Sequence, residues 1–234
     1  GYWSRGLGDV YKRQSMHVKH LKGDEAEGRH DAVFSFTGKS GKNWDITIED
    51  DHLVDLILKT NRLGAKDADL FMYISEAGNE VDLKAEHINQ YIRDSSGMGF
   101  TAKNFRTWAA TSRCAERLAF LSSQRTASEM KTWLKSIPSV ESMDKLWTSG
   151  DWKVPTTDAG RSKAMLAVID TVAADLGNTR AVCRSSYIHP WFLDAWTDGR
   201  LSQAWAEFAD MRAMGNMTSG ESTTLRLLKS VVKA

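Results

Sequence analysis

The feature that most restricts the fold of this chain is a change of hydrophobic period at Asp50. Before it, DAVFSFTGKSGKNWDITIED (31–50) alternates apolar and polar residues on both sides of a Gly-Lys-Ser-Gly-Lys turn, which reads as a β-hairpin with lysines at its tip. After it, Leu53, Leu56 and Ile57, and later Val81, Ile88, Tyr91 and Ile92, fall at helical spacing. The two periods do not mix, so the expected fold is mainly α with a small antiparallel β-sheet near the N-terminus.

The helical reading continues to the end of the chain. A long helix is expected from Thr101 through Phe120, with GMGF (97–100) as the break before it. Asp158 is the candidate cap of a further helix through Ala174, in which Met165, Val168, Ile169 and Val172 share one face and which Gly177 ends. A segment from Arg180 to about Trp196 carries Tyr187, and two amphipathic stretches follow, one before Gly215 and one after Gly220.

Two stretches stand apart. Residues 1–15, opening GYWSRGLGDVYKRQ, show no period and run into a first strand near Met16, so they read as an atypical, non-native leader. Residues 122–160 are rich in Ser, Thr and Trp, contain Pro138 and Pro155, and are a candidate for a variable insertion. The remainder, 16–234, is expected to form one principal domain, because 234 residues with 41% hydrophobic content can bury one sizeable core but hardly two.

Charge and cysteine content remove some functional classes. With 31 basic and 30 acidic residues the net charge is +1, so any nucleic-acid face must come from local segregation. Cys114 and Cys183 stand in neither paired nor metal-ligand spacing, and the six histidines add none, so no metal site and a reducing cytoplasm are expected. No apolar run approaches the ~20 residues that span a bilayer, and no signal pattern opens the chain; a soluble protein without a membrane partner is expected.

Local segregation is present. No acidic residue occurs between Asp94 and Glu116, between Asp175 and Asp194, or between Asp31 and Asp45. These windows hold Lys103, Arg106 and Arg113, then Arg180 and Arg184, then Lys39 and Lys42, which together could form a phosphate-binding face. Acid-free runs as long as the shortest window also occur near both ends of the chain, so composition leaves chance and function about even.

The residues within the windows are more specific. TAKNFRTWAAT (101–111), LGNTRAVCRSSYIHP (176–190) and FTGKSGK (36–42) resemble the three signature segments of the compact bacterial and poxvirus-like type IB DNA topoisomerases, and LFMYISEAGNEVDLKAEHINQYI (70–92) is similar to the helical stretch that precedes the arginine motif in the bacterial branch. The resemblance extends from about Met16 to Leu201 and implies the catalytic-domain fold shared with tyrosine recombinases. It implies an isomerase in which Tyr187 attacks a phosphodiester of duplex DNA, forms a 3′-phosphotyrosyl link and releases a 5′-hydroxyl strand that rotates before religation. Neither ATP, metal nor any other cofactor is implied, and the expected protein is a nucleoid-associated monomer.

The same resemblance distributes the roles. A free tyrosine loses its proton only near pH 10, so cations must favour the phenolate as it forms. Arg106, in KNFRTW, would donate in a fork to the non-bridging phosphate oxygens of the pentacoordinate transition state. Asn178, nine positions before Tyr187, stands where poxvirus relatives use histidine and would donate one hydrogen bond to a phosphate oxygen. Lys39 would protonate the departing 5′ oxygen, with Lys103 as a helper on the face of Arg106. Lys42, Thr101, Arg180 and Arg184 complete the expected DNA contacts.

Each residue also has a plainer reading. Outside its motif, Tyr187 would be a core aromatic, Arg106 a surface cation stacked on Trp108, Asn178 a helix C-cap able to do both jobs, and Lys39 and Lys42 solvated turn residues. His189 is assigned no role. The family's further upstream arginine has no matching context here: Arg5 lies roughly in place, but SRGLGD does not fit. The N-terminal clamp is likewise expected to be missing. Two other functions therefore compete: a tyrosine recombinase, disfavoured because LGNTRAVC contains no His-x-x-Arg pair, and a non-catalytic DNA-binding remnant.

Overall fold

A computed structural model describes residues 17–21, 31–37, 43–48, 50–60 and 71–232. The chain divides after Thr101 into two units.

In the N-terminal unit, β1 (His17–Leu21), β2 (Asp31–Thr37) and β3 (Asn43–Ile48) form an antiparallel sheet in that order. The β2–β3 ladder closes on the pair Thr37 and Asn43, so the expected hairpin forms around the GKSGK segment. Lys39 and Lys42 lie outside the described residues, as does the leader, 1–15. Helix α1 (Asp51–Thr60) is capped by Asp50, whose Oδ1 accepts from the Leu53 amide at 2.8 Å, and it lies against β2 with Val54 and Ile57 buried.

One element differs from the sequence expectation. Val81 belongs not to a helix but to a second hairpin, β4 (Met72–Ile74) and β5 (Glu80–Asp82), turned by Ser75 to Asn79 with Gly78 at φ 80°. The helical pattern starts only at α2 (Ala85–Ser96), which Gly97 closes in the left-handed region. A three-residue strand is too short to show its period beside a strong helical signal.

The C-terminal unit is built around two long helices, α3 (Ala102–Leu121) and α6 (Asp158–Leu176), which pack on each other. Between them, α4 (Ala127–Lys135) and α5 (Glu141–Leu146) fill residues 122–160. This stretch supplies the buried Met130, Met143 and Trp152, with Trp152 donating from Nε1 to the Leu121 carbonyl at 2.8 Å and pairing with Arg125 in an antiparallel bridge. The candidate insertion is therefore an integral part of the core. Each such side chain contributes roughly 1.5–3 kcal/mol on burial.

The chain then runs through α7 (Arg180–Ser186), α8 (Pro190–Thr197), α9 (Leu201–Ala209) and α10 (Ser219–Val232). Helix α10 returns to α3, where Trp108 Nε1 donates to Glu221 at 3.3 Å. Thr157, rather than Asp158, caps α6, accepting from the Gly160 amide at 3.1 Å. Among the described residues no helix is long and apolar enough to cross a membrane.

Candidate active site

The site is assembled by the C-terminal unit from three places: the first turns of α3, the end of α6, and the link between α7 and α8. Helix α3 has arginines at 106, 113 and 117, offsets that put all three on one face. That face grips the end of α6. Arg117 reaches Asp175 at 2.6 Å and Thr171 Oγ1 at 3.0 Å, Arg113 reaches Asp175 at 3.4 Å, and Arg106 Nη2 donates to the Leu176 carbonyl at 2.6 Å. Cations at a helix C-terminus also meet the negative end of its dipole.

Two residues further on is Asn178. Gly177 adopts φ 66°, and the amides of Gly177 and Asn178 donate back to Ala174 and Ala173 at 3.2 and 2.8 Å. This is a Schellman closure, so the backbone of Asn178 does serve the helix end. Its side chain remains for other work: Nδ2 is buried and makes no hydrogen bond among the described residues. The same holds for Arg106 Nε. Leaving a buried donor without an acceptor costs roughly 1–3 kcal/mol, and here two such donors, one of them cationic, stand on neighbouring segments.

Tyr187 ends α7. Thr179 caps the start of that helix, accepting from Val182 at 3.3 Å, and Arg180 ties it to α6 through a two-pronged contact with Asp170, which also accepts from Ser142 at 2.5 Å. Burial raises the Asp170 carboxyl, but the bonds from Arg180 and Ser142 outweigh it and hold it below the usual aspartate range. The Tyr187 amide still donates to Cys183 at 3.2 Å; the backbone then leaves the helix, and His189 caps α8 by accepting from Trp191 at 3.3 Å, with Pro190 at the first helical position.

The side chain of Tyr187 is 1% exposed, and the Arg106 guanidinium lies over its ring, 5.6 Å from the centroid. Arg106 thus stacks on Tyr187 and not on Trp108. The backbone around the tyrosine is held by α3 as well: the Thr111 hydroxyl donates to the Tyr187 carbonyl at 3.0 Å and accepts from the His189 amide at 3.1 Å. Beside it, burial pushes the Cys183 thiol up to about 11, with Arg106 opposing and Asp175 reinforcing the shift.

The structure therefore joins Tyr187 with Arg106, and Arg106 with the segment carrying Asn178. Lys103 is exposed on the first turn of α3, and Thr101 immediately precedes that helix. Arg184 is exposed on α7 and borders an open depression lined also by Ser185, Ile188 and Asp194. Arg180 is committed to Asp170. Reading the sequence missed Thr111, which binds the backbone of Tyr187 and His189, and Asp175, which pairs with Arg113 and Arg117; a lone Thr or Asp on a helix carries no signal of such contacts. Among the described residues no cluster of His, Cys, Asp and Glu is arranged to hold a metal ion.

Comparison with known proteins identifies a family for the chain. The family model described as the catalytic core of eukaryotic DNA topoisomerase I matches residues 8–198. A DNA topoisomerase 1B of Acanthamoeba polyphaga mimivirus is 33% identical over 140 residues, which is 55% of this chain and 40% of the viral protein. The chain thus spans well under two thirds of that relative's length.

Proposed function

Since this chain belongs to the type IB DNA topoisomerase family, we propose that it relaxes duplex DNA by transient cleavage of one strand, with Tyr187 as nucleophile. The observation that carries this reading is the stacking of Arg106 on Tyr187 beside two buried donors, Arg106 Nε and Asn178 Nδ2, that have no acceptor among the described residues. A phosphodiester supplies the acceptors such donors need, and its charge suits a guanidinium fork.

In this reading the Tyr187 hydroxyl oxygen attacks phosphorus, its proton passes to solvent water, and the bond to the 5′ oxygen breaks. Arg106 and Asn178 stabilise the charge gathered on the non-bridging oxygens. Lys39 gives its proton to the leaving oxygen, which would otherwise depart as a basic alkoxide, and Lys103 assists. The products are a 3′-phosphotyrosine and a 5′-hydroxyl. Exchange of one phosphodiester for another conserves bond energy, so reversal needs neither ATP nor metal.

Lys42, Thr101 and the exposed Arg184 serve as backbone contacts, which position the duplex without reading its sequence. Arg180 anchors α7 through Asp170 and reaches DNA only at the expense of that pair. Asparagine at 178 supports placing the chain in the bacterial branch of the compact enzymes.

The test is relaxation of positively and negatively supercoiled plasmid in EDTA without nucleotide. Relaxation of both is expected. Salt-sensitive DNA binding with no relaxation would contradict the catalytic reading and favour a DNA-binding module.

A further inference from the structure

We infer that Thr111 is a positioning residue for the nucleophile, acting through the backbone on both sides of Ile188. The inference rests on the role proposed for Tyr187. Thr111 is 3% exposed and lies on α3, five residues beyond Arg106. Its single hydroxyl donates to the carbonyl of Tyr187 at 3.0 Å and accepts from the amide of His189 at 3.1 Å.

Those two groups bracket the point at which the chain leaves α7 and turns into α8. Tyr187 is the C-cap of α7, with φ −130° and ψ −29°, outside the helical region. His189 is the N-cap of α8, so its amide has no partner inside that helix. Thr111 binds one group on each side of Ile188. It therefore fixes the linker to the helix that carries Arg106, and the nucleophile and the phosphate clamp are referenced to one rigid element.

The consequence is kinetic. A side chain whose backbone can shift by about 1 Å loses on the order of a hundredfold in rate, while DNA contacts elsewhere are untouched. Valine matches threonine in shape but removes both hydrogen bonds; serine keeps them.

The experiment measures single-turnover cleavage of a suicide duplex at saturating protein, together with the affinity for uncleaved duplex, for wild type, Thr111→Val and Thr111→Ser. Thr111→Val is expected to cleave about tenfold to a hundredfold more slowly, with affinity within about twofold of wild type, and Thr111→Ser to recover most of the rate. Equal rates for wild type and Thr111→Val overturn the assignment, as does a Thr111→Val defect that serine fails to rescue. A parallel measurement is amide hydrogen exchange at His189 in the wild-type chain, where strong protection is expected and exchange at the rate of an open loop overturns the inference. That readout decides the matter if Thr111→Val fails to fold. It also decides it if the wild-type chain forms no adduct, an outcome that would count against Tyr187 as nucleophile and leave the clamp to be judged by its protection alone.

Discussion

The guanidinium of Arg106 is stacked 5.6 Å from the centre of the Tyr187 ring while its Nη2 donates to the carbonyl of Leu176 at 2.6 Å. One cation thus links the helix that carries it, the end of α6 and the proposed nucleophile. Its buried Nε has no acceptor among the described residues, and in the proposed reading it faces the phosphate.

From this follows the effect of changing Arg106. Arg106→Ala removes both the fork and the tie to Leu176, and cleavage should slow by about a hundredfold to a thousandfold, the usual loss for one donor to a developing oxyanion. Arg106→Lys keeps the charge but not the planar fork, so it should recover little. Single-turnover cleavage measures both, and a lysine variant matching wild type would show that charge alone suffices.

In the proposed reading Asn178 has two duties, separated by atom. Its backbone closes α6, whereas Nδ2 is the donor without a partner. Asn178→Ala should therefore leave the melting temperature nearly unchanged yet lower the cleavage rate by about tenfold or more, in keeping with a hydrogen bond to a charged acceptor of roughly 1.5–3 kcal/mol. Asn178→His, which restores a donor, should lie between the two. A large loss of stability in Asn178→Ala would show that the side chain supports the fold instead.

Much of this was legible from the residues. The hairpin ladder, the long helices and the left-handed stop at Gly177 follow from period and from glycine placement, which are local properties. Tyr187, Arg106 and Asn178 were legible only through the segments around them, because an aromatic, an arginine or an asparagine at such positions is more often structural. The β4–β5 hairpin was hidden by strands of three residues. The Asp175 and Thr111 contacts join residues 58 to 78 positions apart in sequence, and no local pattern records a pairing of that range.

The Asp170 pair makes stability depend on pH in a defined direction. Its carboxyl lies below the usual range in the folded chain, so it stabilises the fold above the unfolded value of about 3.9 and loses that contribution as pH falls through the folded value. Asp170→Asn should lower the melting temperature at pH 7, and the gap from wild type should close as the pH drops from about 4 towards 2. A gap constant across that interval would contradict the ion-pair account.

Both thiols should be inert in the folded protein. Burial pushes Cys183 up to about 11, and Cys114 is raised further by the same cause. At pH 8 the thiolate, which is the reactive form, is then at most about one part in a thousand of Cys183. A thiol reagent should label neither cysteine until denaturant is added, after which both react. Rapid labelling of native protein would show that α7 opens readily, against the tight placement described for Tyr187.

Covalent trapping decides whether Tyr187 is the nucleophile. The chain is mixed with a suicide duplex in EDTA without nucleotide, denatured, and resolved for a protein–DNA adduct, with Tyr187→Phe alongside. An adduct is expected for the wild-type chain, linked to the 3′ end of the cleaved strand and absent from Tyr187→Phe. An adduct that persists in Tyr187→Phe, or no adduct from a wild-type chain that still binds the duplex, would contradict it.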